Sequence, residues 1–391
     1  MAVLPSSRAR VAGLLIAAAT LTALVAAGRP YARGAAFVIE AAGFDGIERR
    51  AASIEFEPVA IADLPDVTWR GGPLRARRYR PAGSKGGRTI LLVPGVHAAG
   101  IDEPRLVGFA HDLVGIGDQV VTVELPDLAH YEITPRTADM IEDAAAWMLH
   151  RAEYRGADGR IGMMGISFGG GLTLVAAGRP SIAQNVSFAM SFGGHGDLLR
   201  TLEYLCTGVQ PDGTLRPPHD YGLAIVLLNV ADTGVPADQV QPLRTAILSF
   251  LEASRLDMVD KTKAAVEFER AKALEASLPE PAHEYMKYVN ARDVRKLGPI
   301  LLPHLANRAS NPALSPARSP APRCPVYLLH GADDNVVPAI ESTLLAREFR
   351  AKGIDVHLLE TPLITHAEVD RRSTPMDVWR LVRFWTALLE E

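Results

Sequence analysis

One serine stands in a glycine-flanked turn whose form points directly to nucleophilic chemistry. Residues 165–169 read GISFG, a G-x-S-x-G motif, with an apolar strand pattern before them and a helical pattern after them. In that context the motif holds its serine on a strained turn with the hydroxyl exposed, because the glycines let neighbouring backbone pass closely. We therefore predict that Ser167 is a nucleophile and that the backbone amide of Phe168 faces the developing charge on a bound carbonyl oxygen.

A serine hydroxyl becomes an effective nucleophile only when a base removes its proton and an acid orients that base. Asp334 follows a predicted strand at 325–330, and His366 follows the next predicted strand at 355–360. Open α/β sheets build their sites at the carboxyl ends of their strands, so we predict that Asp334 is the acid and His366 the base. Asp197 is left as an alternative acid or as the N-cap of a following helix.

The elements that must position these residues follow an alternating pattern. Short apolar runs alternate with helical periodicity from about residue 74 onward, which indicates a mostly parallel sheet with crossover helices. The predicted strands are 74–79, 89–93, 119–125, 160–166, 185–192, 325–330 and 355–360. The predicted helices between them are 105–114, 135–151, 168–177, 338–352 and 376–389.

The alternation stops between residues 197 and 306. Helical patterns dominate there, at 224–230, 240–253, 262–278 and 282–289, which predicts a helical cap between the predicted strands 185–192 and 325–330. Residues 307–323 are rich in proline and serine and are predicted to be an extended return to the sheet.

From about residue 74 to the C-terminus the chain resembles the α/β-hydrolase superfamily. The resemblance rests on the turn around Ser167, the sequence HGADDNVVP at 330–338, and the loop of His366, in the order nucleophile, acid, histidine. It implies an α/β-hydrolase fold, a mostly parallel twisted sheet with flanking helices and a helical cap insertion. The core would be residues 74–196 and 324–391, and Asp334 rather than Asp333 matches the acid position.

The same resemblance implies a serine hydrolase of the carboxylesterase, lipase or peptidase kind, with no cofactor. It places the second oxyanion donor after the strand at 89–93, where the amide of Val96 aligns although Pro94 replaces the usual histidine. His97 is the next candidate, and it either lines the substrate pocket or caps the following turn.

We therefore expect a carboxylesterase-like enzyme acting on a small-molecule ester through an acyl-enzyme. A peptidase or amidase with the same triad, and a catalytically silent binding protein, remain as alternatives. The sequence contains no HExxH, GxxxxGK[ST] or helix-opening GxGxxG motif, so zinc-protease, P-loop and dinucleotide sites are not predicted.

The N-terminus carries an uncharged apolar segment. Residues 11–28 lie between Arg10 and Arg29 and would span about 27 Å as a helix, which is typical of a signal peptide or a membrane anchor. Both readings stay open, and either predicts an exported or membrane-anchored protein with its catalytic domain outside the cytoplasm. Residues 29–73 are taken as a lead-in to the core.

Composition excludes several classes of protein. The hydrophobic fraction of 48% over 391 residues provides a large core and argues against disorder. The net charge of -4, from 41 Lys and Arg against 45 Asp and Glu, argues against nucleic-acid binding. Cys206 and Cys324 leave room for one disulfide at most, and oligomeric state is not predicted.

Overall fold

Ten strands are present in the described residues, which in this computed structural model are 28–41, 58–83, 87–257, 259–364 and 374–391. Eight of them form the main sheet, and β2 and β3 form a separate hairpin. The strands are β1 (Val59–Leu64), β2 (Thr68–Trp69), β3 (Gly72–Pro73), β4 (Ala76–Pro81), β5 (Thr89–Val93), β6 (Gln119–Val123), β7 (Ile161–Ile166), β8 (Val186–Phe192), β9 (Val326–Gly331) and β10 (Val356–Thr361).

The main sheet runs in the order β1-β4-β6-β5-β7-β8-β9-β10. β4 is antiparallel to both of its neighbours, whereas β6, β5, β7, β8, β9 and β10 are mutually parallel. One register row crosses five of them, through Val93, Gly165, Ser191, Leu328 and Leu358. The loops that follow these strands therefore open at one edge of the sheet, which is where Val96, Ser167 and Asp334 lie.

Helices cover both faces of the sheet. They are α1 (28–41), α2 (Pro104–Gly115), α3 (Pro126–Ala129), α4 (Pro135–Leu149), α5 (Phe168–Ala177), α6 (Leu198–Thr207), α7 (Asp220–Gly234), α8 (Ala237–Asp257), α9 (Lys261–Ser277), α10 (Ala282–Asn290), α11 (Val294–Ala309), α12 (Ile340–Ala351) and α13 (Pro375–Leu389). Short 3₁₀ turns occur at Gly100–Asp102, Ala152–Tyr154, Pro312–Leu314 and Pro316–Arg318. One apolar core packs α1, α2 and α13 on one face, and a second packs α4, α5, α12 and the helices after β8 on the other.

The predicted sheet is confirmed, because the central strands are buried along their whole length. Every residue of β5 and β6 is buried, as expected for parallel strands covered on both faces. The elements of the lead-in, α1, β1, β2 and β3, were not predicted. β1 is an edge strand whose middle residues are exposed, so it lacks the continuous apolar run that identified the central strands.

The segment between β8 and β9 is mostly helical in its described part, with six helices, α6 to α11, and a non-helical stretch at 208–219 between the first two. The sequence patterns missed α11, which contains Pro299 and Pro303. It packs tightly on α6, since a Cβ at Gly298 would lie 1.8 Å from the carbonyl oxygen of Cys206. The return segment is not extended throughout: α11 continues to Ala309, and two 3₁₀ turns follow it.

Both cysteines are buried free thiols, so the disulfide that the sequence left open is not formed. Burial raises the pKa of Cys206 and of Cys324 to about 12. Almost all of the predicted apolar N-terminal segment, up to residue 27, lies outside the described residues. Within the described ranges, no helix combines the length and apolarity needed to cross a membrane.

Candidate active site

Ser167 occupies a strained turn between β7 and α5. Its φ of 53° and ψ of -134° lie in a region that residues with a side chain rarely adopt. The turn is held by the backbone, since the amide of Ser167 donates to the carbonyl of Phe192 at 2.7 Å and the amide of Gly170 donates to the carbonyl of Ser167 at 2.8 Å. Strain of this kind costs about 1–3 kcal/mol and persists where the surrounding structure enforces it.

The two glycines of the motif are required because neighbouring backbone and side-chain atoms pass too close to them for a Cβ atom. A Cβ at Gly165 would lie 2.3 Å from Thr173 Oγ1 and 2.5 Å from the carbonyl oxygen of Gly169. A Cβ at Gly169 would lie 2.0 Å from the carbonyl oxygen of Pro94. The glycines therefore let α5 start directly against the end of β5, which fixes where Ser167 stands at the sheet edge.

Two backbone amides were predicted to stabilise an oxyanion. Phe168 is the first residue of α5, and the first amides of a helix lack acceptors within it and carry the positive end of its dipole. The loop after β5 passes beside the serine, because a Cβ at Gly95 would lie 3.3 Å from the Cβ of Ser167. Val96 follows Gly95 directly, so its amide belongs to the loop segment adjacent to the nucleophile.

Asp334 is buried and oriented by backbone amides. The residue is only 1% exposed. Its Oδ1 accepts hydrogen bonds from the amides of Val336 at 2.8 Å and Val337 at 3.0 Å. Oδ2 lies 3.4 Å from His330 Nε2. His330 is itself held in the core, by Ser342 Oγ at 2.7 Å from Nδ1 and by the carbonyl of Val337 at 2.8 Å from Nε2. The carboxylate therefore has one defined orientation at the end of β9.

The competing acids are placed differently. Asp333 is exposed, with 80% of its side chain accessible, and it lies 3.5 Å from Arg216 Nη1. Asp197 is the N-cap of α6, where Oδ1 accepts from the amide of Arg200 at 3.2 Å and Oδ2 accepts from Arg318 Nε at 2.6 Å. His366, the predicted base, lies outside the described residues, five positions after the end of β10.

His97 lies in the loop after β5 and contributes to the turn that follows it. Its Nδ1 accepts from the amide of Ala99 at 3.2 Å, which leaves the proton of the neutral ring on Nε2. Burial lowers the pKa of His97 below its usual value, so the ring is neutral at physiological pH. This bond does what a turn cap does, and a role in substrate binding remains a prediction.

Sequence reasoning missed an ion pair on α8 whose charges act on His97. Glu252 and Arg255 form an ion pair at 2.6 Å on α8, and their charges act on both His97 and Tyr131. Tyr131 is buried, with a φ of 61° and a pKa raised mainly by burial. The two charges belong to the helical insertion, far along the chain from His97, so no local motif signals their effect on it.

Sequence reasoning also did not predict that His195 packs against the turn that holds Ser167. Its ring lies 5.4 Å from the ring of Phe168, and a Cβ at Gly171 would lie 2.4 Å from its Cε1. Nε2 lies 2.8 Å from the carbonyl oxygen of Leu314, and burial lowers the pKa of this histidine. His195 thus packs against the first turn of α5.

No protein-family model matches the chain, and no curated protein sequence is significantly similar to it. Among solved structures, it is similar to an esterase from Pyrobaculum calidifontis, with 15% identity, a TM-score of 0.45, and coverage of 85% of this chain and 87% of that one. It is also similar to a thermostable carboxylesterase cloned from a metagenomic library, with 18% identity, a TM-score of 0.45, and coverage of 85% and 90%. An acylaminoacyl peptidase from Pyrococcus horikoshii gives 12% identity, a TM-score of 0.46, and coverage of 85% and 41%.

Likenesses this distant carry no argument for a shared activity, and the fold is identified by the chain's own topology. The sheet has eight strands with its second strand antiparallel, and a strained strand–turn–helix places Ser167 after the fifth of them. A buried carboxylate follows the seventh strand, and a helical insertion precedes that strand. With this strand order and this turn, the chain has the α/β-hydrolase fold.

Proposed function

We propose that the chain is a serine hydrolase that cleaves a carboxylic ester through an acyl-enzyme. The observation that carries the proposal is the backbone of Ser167, a non-glycine residue at φ 53° on the edge of the sheet where the strand-end loops converge. A strain of about 1–3 kcal/mol at a single serine is typical of a functional turn rather than of a packing turn.

In the proposed reaction Ser167 Oγ attacks the ester carbonyl carbon while His366 takes the hydroxyl proton. The carbonyl oxygen becomes an oxyanion, which accepts hydrogen bonds from the amides of Phe168 and Val96. His366 then gives its proton to the leaving alcohol, and a water molecule activated by the same histidine hydrolyses the acyl-serine. Asp334 orients His366 and stabilises its charged form.

The fixed carboxylate of Asp334 supports its assignment as the acid. With Oδ1 engaged by two amides, the group cannot rotate freely, and Oδ2 is held in one position at the sheet edge. Asp333 lacks this constraint because it is exposed, and Asp197 already bonds Arg200 and Arg318. A carboxylate that orients a histidine is effective when supporting hydrogen bonds hold it in one geometry.

The helical segment between β8 and β9 is proposed to control which substrate reaches Ser167. Glu252 and Arg255 on α8 are close enough to His97 and Tyr131 for their charges to act on both side chains.

A panel of p-nitrophenyl esters of increasing acyl chain length, with matched p-nitroanilides, tests the proposal. Ester hydrolysis at least 100-fold faster than anilide hydrolysis supports an esterase. Preference for the anilides would replace the ester proposal by an amidase or peptidase with the same triad. Hydrolysis of neither series, with no covalent labelling of Ser167, would support a silent binding protein.

A further inference from the structure

Three large apolar side chains are exposed together on the face of the sheet that α1 and α13 cover. Tyr31 is 42% exposed, Trp379 46% and Met376 57%. The rings of Tyr31 and Trp379 are stacked, with centroids 5.5 Å apart and planes 20° apart. We call these three side chains the aromatic patch.

The helices that carry the patch are closely packed on each other and on the core. α1 packs closely on α13, because a Cβ at Gly34 would lie 2.3 Å from Thr386 Oγ1. Below the patch, the ring of Phe37 lies 4.4 Å from that of Trp385, and both pack against Phe109. Exposure of the patch is therefore not the result of a loose terminal helix, since the underlying side chains belong to the core of this face.

Basic side chains accompany the patch. Arg29, Arg380 and Arg383 are all exposed on the same two helices. The two helices carry four arginines against two acidic residues, Glu40 on α1 and Asp377 on α13. Asp377 is engaged by the Thr374 hydroxyl at 2.6 Å and lies 4.0 Å from Arg380 Nη1. The patch thus combines aromatic rings, an aliphatic thioether and an excess of positive charge.

This combination is the one that proteins place at the surface of a bilayer. Tryptophan and tyrosine are enriched at the headgroup level, where one part of the ring system is apolar and another is wet, and arginine is attracted to anionic lipid. The chain also leads to this face: the 27 residues before α1 include the uncharged apolar stretch that begins at residue 11, and Tyr31 comes only four positions after residue 27.

We propose that the aromatic patch is a membrane-docking surface that lies in the headgroup region of a bilayer containing anionic phospholipid. Entry of residues 11–28 into the bilayer would bring α1 to its surface, and the patch then fixes the orientation of the folded domain on the membrane. The proposal rests on the apolar N-terminal segment and is independent of the proposed hydrolase activity.

Tryptophan quenching in vesicles tests the proposal on the full-length chain. The protein is reconstituted into vesicles of phosphatidylcholine and phosphatidylglycerol, with or without brominated acyl chains, which quench only fluorophores at the bilayer. The chain has four tryptophans. Trp379→Phe keeps a ring for stacking on Tyr31, and Trp69→Phe is the matched control, because Trp69 belongs to β2, which packs against α4 on the opposite face.

The wild-type protein and Trp69→Phe should both be quenched by the brominated lipid, and Trp379→Phe should lose at least half of that quenching. Arg380→Glu combined with Arg383→Glu should reduce the quenching of Trp379 in anionic vesicles. Equal quenching of wild type and Trp379→Phe would overturn the proposal, and so would an unquenched wild-type protein, whether it is bound to the vesicles or not.

Discussion

Replacement of Asp334 by asparagine should disable the enzyme without disturbing its fold. Oδ1 accepts hydrogen bonds from the amides of Val336 and Val337, and only a carbonyl oxygen of asparagine can take that position. The side-chain NH₂ group of the introduced asparagine is thereby forced into the place of Oδ2, where it is a donor. A donor at that point favours the wrong tautomer of the catalytic histidine.

The expected loss of kcat follows from the wrong tautomer of the catalytic histidine. The equivalent carboxylate-to-amide change in a serine-protease triad lowers kcat by about 10⁴, which is about 5.4 kcal/mol of transition-state stabilisation. We expect a loss of that order for Asp334→Asn, measured as kcat on the best p-nitrophenyl ester. The circular dichroism spectrum should stay near that of the wild type, since both amide bonds to the loop are kept. The urea midpoint should fall somewhat, because Oδ2 lies 3.4 Å from His330 Nε2 and this contact loses its charge.

Asp333→Asn and Asp197→Asn are the matched controls. Asp333 is exposed and Asp197 caps α6, so each change should lower kcat by less than about tenfold. Asp197→Asn should also reduce stability, because its bond to Arg318 loses its charge. An active Asp334→Asn variant beside a crippled Asp197→Asn variant would refute this reasoning and move the acid to the end of β8.

Ser167→Ala and His366→Ala should each lower kcat by roughly 10⁴ to 10⁶ with the fold intact, because nucleophile and base act as one unit; a variant that keeps a tenth of the activity would contradict the triad. Ser167→Gly should be more stable to urea than Ser167→Ala by about 1 kcal/mol. Glycine relieves the backbone strain at this positive φ, and this gain exceeds the cost of the greater freedom that glycine gives the unfolded chain. Equal stability of the two variants would show that the turn is unstrained. Residues 1–28 should direct export, which fractionation of the expressed full-length protein checks. A soluble cytoplasmic protein with an intact N-terminus would contradict it.

The sheet was predictable because its strands carry strong local signals. β5 is a short apolar run buried along its whole length, and β7 is buried in all but its last residue. The helix of the Ser167 turn begins and ends where its pattern predicts. β1 and α11 were not predictable from such signals. β1 is half exposed at an edge, and α11 tolerates two internal prolines because packing against α6 compensates for their weak helix propensity.

The candidate site was predictable only in part. The glycines around Ser167 and the position of Asp334 after β9 are local features that a sequence displays. The effect of the Glu252 and Arg255 charges on His97 was not predictable, because it depends on where the helical insertion lies relative to a loop more than a hundred residues earlier in the chain. The exposed stacking of Tyr31 on Trp379 is likewise a contact between the two ends of the chain.

Covalent labelling with a fluorophosphonate tests the central claim most directly, because the reagent reacts with a serine only when a base activates it. The full-length protein should gain one label, and mass spectrometry of its peptides should place that label on Ser167. Ser167→Ala should take up none, whereas Asp333→Asn should be labelled like the wild type. An unlabelled wild-type protein, or a label on a different serine, would contradict the assignment of Ser167 as the nucleophile.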